Sequence, residues 1–268
     1  MGEKSVATLL LVVAHPDDES FGCGALIAAT ALEGTEVILC CASRGELGED
    51  ATGRYSSPEA LGRAREQELR ESAQILGARR VEFLDLTDSG WDGEAAPGSI
   101  IAERERLDGA IERALRAHHP EVVITMAPTG SDGHRDHAAL AAATTRAFTR
   151  AVQWPASLYH WCLPHSLMSD WAREIAAQDP ASVYLETDLG RPDEDVTTVL
   201  GGREVLDRVQ HAMACHLTQT GPYQRISAEL TERFIGYDHL VRVHPPWQGG
   251  RTETALLWPE PVSEPLPG

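Results

Sequence analysis

The first legible stretch of the chain is Leu9-Leu10-Leu11-Val12-Val13, an unbroken apolar run that reaches Ala14 and gives way at once to His15-Pro16-Asp17-Asp18-Glu19. A short apolar run closed by Pro and acidic residues predicts a buried strand feeding a loop. Gly24–Leu32, rich in Ala and Leu and stopped by Gly34, predicts a helix, and Thr35–Cys41 a second strand. After the long loop Ala42 to Ser57, a helix is predicted to start at Ser56 or Ser57, with Pro58 in its first turn and Glu59 as capping-box partner, and to run to about Gly77. Arg80–Asp85 predicts strand three, Ser99 to about His118 a helix ended by Pro120, and Glu121–Met126 strand four.

Strand and helix in this alternation imply parallel pairing through right-handed crossovers. The predicted fold is therefore α/β, a Rossmann-like, doubly wound and mostly parallel sheet in the order 3-2-1-4. Strands one and four become neighbours where the winding reverses, so the loops after Ala14 and after Met126 share one crevice. Beyond residue 150 the pattern weakens. Leu158–Leu163 and Val183–Thr187 read as strands, Gly202–Leu217 as a helix, and His239–Val243 as a last strand before a Pro-rich tail. No repeat or low-complexity linker divides the chain. The expectation is one domain over residues 1–268, with a core over about 1–155 and a part from about 156 to 268 that closes over the crevice and shapes substrate choice.

Charge narrows the function classes. The 41 acidic residues outnumber the 23 basic ones, the net charge is -18, and no long Lys/Arg cluster occurs, which argues against nucleic acid and against anionic membrane surfaces as partners. The apolar stretch Val6–Ala14 is far too short to span a bilayer, no small-residue cleavage site follows it, and position 6 lacks the Ser/Thr of a myristoylation motif, so the expected location is cytoplasmic. The five cysteines are odd in number and contain no Cys-x-x-Cys, which predicts reduced thiols rather than a disulfide framework or a thiolate zinc site.

The chemistry concentrates at the end of the first strand. His15 is followed by three carboxylates within five residues, and it is paired with a second good metal ligand, Asp18, three residues on. Ala14-His15-Pro16-Asp17-Asp18-Glu19 resembles the signature of the LmbE-like, PIG-L type family of zinc-dependent N-deacetylases, which remove acyl groups from N-acetylglucosaminyl compounds. Gly133-His134-Arg135-Asp136-His137 is similar to the family's second element, Gly-His-Pro-Asp-His, with Arg135 in the proline's place. The matched stretches lie between residues 8 and 140, with a weaker echo at Ala212–Gln219.

The resemblance implies His15, Asp18 and His137 as three protein ligands that leave open positions on a catalytic ion. Zinc is the metal it implies, and the same two-His, one-carboxylate set also suits ferrous iron. Asp17, beside ligand Asp18, matches the family's general base. His134, three residues before His137, matches the histidine that stabilises the oxyanion or protonates the leaving amine, with Asp136 orienting and charging it. Some relatives carry Tyr two positions before this His, where this chain has Asp132. Arg65-Glu66-Gln67-Glu68-Leu69 looks like the family's Arg-x-x-Glu-Leu helix, Asp88 falls in its Asp-rich loop, and His216 with Gln219 resembles a late element. The resemblance places Arg65, Asp88 and His216 with the substrate.

The implied activity is removal of an acyl group, acetyl first, from the amine of an N-acetylglucosamine-type sugar or sugar conjugate. Amidases of thiol conjugates fall within the same family. Two readings of other classes stay open on the residues alone: a non-haem Fe(II) oxygenase using the same ligands, and a non-catalytic carbohydrate- or nucleotide-binding module. For the last, Phe21-Gly22-Cys23-Gly24 lacks the G-x-G-x-x-G pattern. Relatives are often multimers, and a homo-oligomer is the corresponding expectation.

Overall fold

The computed structural model describes residues 6–129, 133–180, 185 and 189–259. The first apolar run forms β1 (Thr8–Val13), whose residues Leu9 to Val13 are wholly buried. It pairs in parallel with β2 (Glu36–Cys41) on one side and β4 (Val122–Thr125) on the other. β3 (Arg80–Phe83) adds to β2, also in parallel, so the order 3-2-1-4 is present. A strand buried on both faces needs no alternation, which explains the continuous apolar reading of β1 and β2.

The helices follow from the local signals. α1 (Asp18–Phe21) is a single turn, and α2 (Gly24–Leu32) buries six of its nine residues and leaves Leu32 exposed. α3 (Pro58–Leu76) is capped by Ser57, whose side chain accepts from the Ala60 amide at 3.2 Å, and it ends at Gly77 with φ 91°, a left-handed turn that suits glycine. α4 (Arg104–His118) starts later than Ser99. Residues 98–100 first pair with Thr87, whose amide donates to the Gly98 carbonyl and whose carbonyl accepts from Ile100, and that bridge holds the chain out of helical conformation. α5 (Arg135–Ala151) begins inside the second motif and packs along α4.

The C-terminal third extends the same sheet. β5 (Ser157–Cys162) is parallel to β4, β7 (Tyr237–His244) is antiparallel to β5, and β6 (Thr198–Gly201) is antiparallel to β7, giving a seven-stranded sheet 3-2-1-4-5-7-6. β6, a four-residue edge strand, has no periodic signal to find it by. α6 (His165–Gln178) and α8 (Ala228–Ile235) are also unannounced by the pattern, and the helix expected over Gly202–Leu217 is shorter, α7 (Leu206–Met213). The strand expected at Val183–Thr187 lies, apart from Leu185, outside the described residues, as does Asp132. The cysteines are free thiols, four of them buried. Among the described residues no helix is long and apolar enough to cross a membrane.

Candidate active site

The site is assembled where β1 and β4 end side by side. After β1, the Asp18 carboxylate accepts from the amides of Ala14 (3.0 Å) and His15 (2.9 Å) through one oxygen, which turns its other oxygen to His137 Nε2 at 3.2 Å. After β4, His134 caps α5, and Asp136 and His137 lie in its first turn. One ring nitrogen each from His15, His134 and His137 lie within 4.8 Å of one another, and His15 forms a second such group with Asp88 and Asp136. His15 and His137 are buried, and three carboxylates face them.

The electrostatics fit a cation. Burial alone would lower the His15 pKa, but hydrogen bonds to Asp136 and Asp88 and the charges of Asp88 and Asp18 push it up to about 10. Burial would raise Asp18, yet the charge and hydrogen bond of His137 hold it well below the usual carboxylate range. A lone pair of a neutral imidazole aimed at a carboxylate oxygen is repulsive, so each of these contacts requires a proton or a metal ion. The residues expected as ligands lie side by side here, Asp18 against His137 and the His15 and His137 rings 5.4 Å apart, and two imidazoles and a carboxylate are a donor set that suits a divalent ion with open positions.

Asp17 occupies an unusual backbone conformation, φ 119°, sparsely populated by non-glycine residues and costly by roughly 1–3 kcal/mol. Its surroundings over-determine it. Its amide donates to Glu19 at 3.0 Å, its carbonyl accepts from Ser20 and Phe21, and its carboxylate takes Arg65 Nη2 at 3.1 Å. Burial raises the Asp17 pKa, Arg65 opposes this, and the balance is about 6.

Arg65 is placed differently from the expectation that it holds substrate. It lines the cleft, but its guanidinium donates to the carbonyls of Gly45 (2.8 Å) and Pro16 (2.7 Å) as well as to Asp17. A Cβ would lie 2.3 Å from that guanidinium at Gly45 and 2.1 Å at Gly48, so a side chain at either position would push Arg65 off its partners. Asp136 also departs from its expected part. Its carboxylate faces His15 at 3.3 Å and accepts from the Ser89 amide at 2.9 Å, while it is its backbone amide that meets His134 Nδ1, at 3.2 Å. An Nδ1 that accepts leaves the proton of a neutral ring on Nε2, so capping α5 also fixes the His134 tautomer as an Nε2–H donor.

His216 is not at the cleft surface. Its side chain is wholly buried, with Nε2 2.7 Å from Glu19, whose carboxylate also takes Ser72 Oγ at 2.5 Å. Glu19, which sequence reasoning passed over, links this buried pair to the Asp17 amide. Burial opposes the charged forms, but each partner's charge prevails, raising His216 and lowering Glu19. His216→Ala should cost about 3–5 kcal/mol in urea unfolding, because it leaves a carboxylate buried without its partner. The sign of its pH dependence follows from the raised His216 value. The contribution is complete below the unfolded pKa of roughly 6.5 and fades as pH rises through the folded one. The stability gap between parent and variant should therefore be widest near pH 6 and narrow as pH rises above it; a gap that grows with pH would refute the pair.

Arg135, where the resemblance expects proline, binds a loop. Its guanidinium donates to the carbonyls of Gly90 (2.8 Å), Gly93 (2.7 Å), Asp92 (2.9 Å) and Ser89. That loop follows Asp88, whose carboxylate accepts from Gly90, and it sets the Trp91 ring edge-on to His134 at 5.1 Å. Arg135→Ala should keep the metal and lose roughly 10-fold to 100-fold in kcat/KM through a slackened cleft wall. Arg135→Lys should recover little, since an ammonium lacks the planar fork that reaches several carbonyls at once. Unchanged kinetics in both variants would show that the loop holds itself.

His15, Asp17, Asp18, Arg65, Asp88, His134 and His137 all line one cleft of about 750 Å³. Comparison with known proteins gives this cleft its context. The model of the family described as PIG-L: GlcNAc-PI de-N-acetylase matches residues 10–148, which is 139 of the 268 residues. A 1D-myo-inositol 2-acetamido-2-deoxy-alpha-D-glucopyranoside deacetylase of Saccharopolyspora erythraea is 37% identical over 219 residues, covering 73% of this chain and 77% of that protein. Among solved structures, GalB, the 4-carboxy-2-hydroxymuconate hydratase of Pseudomonas putida KT2440, has a TM-score of 0.64 at 21% identity, covering 92% of this chain and all of that one. The zinc-inhibited form of teicoplanin deacetylase Orf2 has a TM-score of 0.59 at 15% identity, covering 89% and 100%. At such identities the structural likenesses speak for the fold alone. The two motif loops, the sheet order that joins them, the matched family model and a relative more than a third identical over most of its length make this chain a member of the PIG-L family of GlcNAc-PI de-N-acetylases.

Proposed function

We propose that the protein is a metal-dependent N-deacetylase that hydrolyses the acetamide of an N-acetylglucosamine-type sugar or sugar conjugate. The observation that carries this reading is the convergence of His15, His134 and His137 beside the strained Asp17 in one cleft. His15, Asp18 and His137 would hold the ion, and zinc is the metal favoured by family membership. Ferrous iron suits the same donors, and elemental analysis of the purified protein distinguishes the two. When bound, the ion supplies Lewis acidity towards a water and the amide oxygen.

The remaining work falls to side chains of this chain. Asp17, aimed by Arg65 and by Glu19 on its amide, takes the proton of the attacking water. His134, with its proton on Nε2, donates to the oxygen that becomes negative as the carbonyl carbon turns tetrahedral. The proton held on Asp17 then passes to the amine nitrogen, the C–N bond breaks, and a free amine and a carboxylate leave. Asp136 supports this indirectly, through its amide on His134 and its carboxylate on His15. Arg65 serves the base rather than a sugar hydroxyl. Asp88 lines the cleft, its carboxylate accepting from the Gly90 amide and facing His15, and its proposed part is to accept a sugar hydroxyl.

The relative that acts on an inositol-linked amino sugar puts that conjugate, beside simple N-acetylglucosaminides, in the first assay panel. Metal-loaded protein should release amine and acetate in equal amounts from at least one of them. Absence of amine release, together with oxygen consumption in the presence of a 2-oxo acid, would replace this reading with the oxygenase.

A further inference from the structure

The cleft has two chemically different ends. One holds the imidazoles and carboxylates described above. The other is aromatic: Phe21, Trp91, Trp161, Trp171, Tyr223 and Phe234 line the cavity, six of the fifteen Phe, Tyr and Trp residues in the chain (four, five and six of each). Only Trp91 belongs to the reactive end, against His134. The other five come from α1, β5, α6, α8 and the loop before α8, so the C-terminal third supplies most of this wall.

The polar atoms of these rings are turned into the protein. The Tyr223 hydroxyl donates to the Phe21 carbonyl at 2.5 Å, the Trp171 indole N–H to the Pro222 carbonyl at 3.4 Å, and Trp161 hydrogen-bonds the buried Asp238. The rings also brace one another, Tyr223 against Phe234 at 5.2 Å and edge-on to Phe21 at 6.4 Å. Nearby, the Gln219 amide is spent on the Glu49 carbonyl and on Thr218. Glu49, Thr220 and Arg225, the last paired with Asp179 at 3.7 Å, also line the cleft, but a substrate that packs on the rings themselves meets carbon. A polyol buried there would lose its water without gaining partners, whereas an apolar group gains from leaving water.

We propose that the preferred substrate is an N-acylated amino sugar bearing an apolar group, of about hexyl or aryl size, that packs on Phe21, Trp161, Trp171, Tyr223 and Phe234 while the amide sits at the metal ligands. This rests on the deacetylase reading for the orientation of the sugar. The apolar group enters either through the anomeric substituent or through a longer acyl chain, and both present the same chemistry to the wall.

Metal-loaded protein is assayed with methyl and hexyl glycosides of N-acetylglucosamine, and with N-acetyl- and N-hexanoylglucosamine. Each buried methylene is worth roughly three- to fourfold, so a hexyl group that reaches the wall should raise kcat/KM by roughly 30-fold or more in one of the two pairs, and the pair that responds identifies the entry route. Met168→Gln, which places an amide of similar shape on the same cleft, should shrink that ratio, and Trp171→Leu provides a second variant if the first folds poorly. In parallel, calorimetry measures binding of the methyl and hexyl glycosides of glucosamine, which carry no amide to hydrolyse. Hydrolysis of all four compounds with ratios near one would overturn the apolar wall and leave the deacetylase intact. No hydrolysis, but roughly 30-fold tighter binding of the hexyl glucosaminide, would overturn the deacetylase and keep the wall. Without hydrolysis, equal binding of the two glucosaminides together with equal binding of N-methyl- and N-hexylglucosamine, which present the acyl route without an amide, would overturn both.

Discussion

The parent protein should hold about one divalent ion per chain, and replacing His15, Asp18 or His137 by Ala should lose most of it, because three protein ligands cannot become two without a large fall in affinity. The three substitutions are not equivalent in what else they disturb. Asp18 also closes the turn after β1 through the amides of Ala14 and His15, so its loss removes a ligand and loosens the loop that carries Asp17. His15→Ala takes away the partner that faces Asp88 and Asp136, leaving those carboxylates in mutual repulsion at the cleft floor. His137→Ala is the cleanest of the three, since its ring nitrogen meets Asp18 and the helix it sits on is capped by another residue. Elemental analysis of the three variants beside the parent decides the matter. Full occupancy in all of them would place the ion elsewhere and remove the basis of the proposed chemistry.

Asp17→Asn should behave in the opposite way, keeping its metal while turnover falls by roughly 10²-fold to 10⁴-fold, the usual range for a lost general acid or base. The amide has nearly the shape of the carboxylate and can still accept from Arg65, so the backbone at this position, already held by Glu19 below and by Ser20 and Phe21 beyond, has reason to stay as it is. What it lacks is the capacity to take a proton. Because the loss concerns a step after binding, kcat should fall with little change in KM. Metal content and single-turnover amine release, measured on the same preparation, separate this from a damaged ion site. A variant that turns over like the parent would remove Asp17 from the reaction.

The proposed ligand and the proposed base are adjacent in sequence yet turned in different directions. Asp18 lies in the first turn of α1 and points to His137, whereas Asp17 precedes that turn with φ 119° and points to Arg65. One unusual backbone angle sends two neighbouring carboxylates in different directions. The strain this stores is of the kind that persists only where the surrounding structure insists on it.

Much of the frame was readable from local pattern. The apolar run at Leu9–Val13, the glycine after α3, the serine before it and the alternation of strand with helix each express a short-range constraint, burial of a face or satisfaction of a helix end, and those constraints imply the parallel order 3-2-1-4 and bring both motif loops into one crevice. The ends of elements were less legible, as at Ser99, where pairing with Thr87 overrides helical propensity. Partners far apart in the chain were decided only by tertiary structure. Arg65 was expected to meet a sugar and instead serves Asp17, 48 residues away. His216 was expected among the substrate residues and instead lies buried on Glu19, 197 residues away. Asp136 supports His134 through its amide, while its carboxylate serves His15, 121 residues away. The aromatic wall joins Phe21 to Tyr223 across 202 residues. Periodicity records which face of an element is buried. It carries no record of which side chain lies opposite, and that is settled by how the sheet's C-terminal strands and the helices packed on them return to the first loop, where burial leaves each polar group only the partners within its reach.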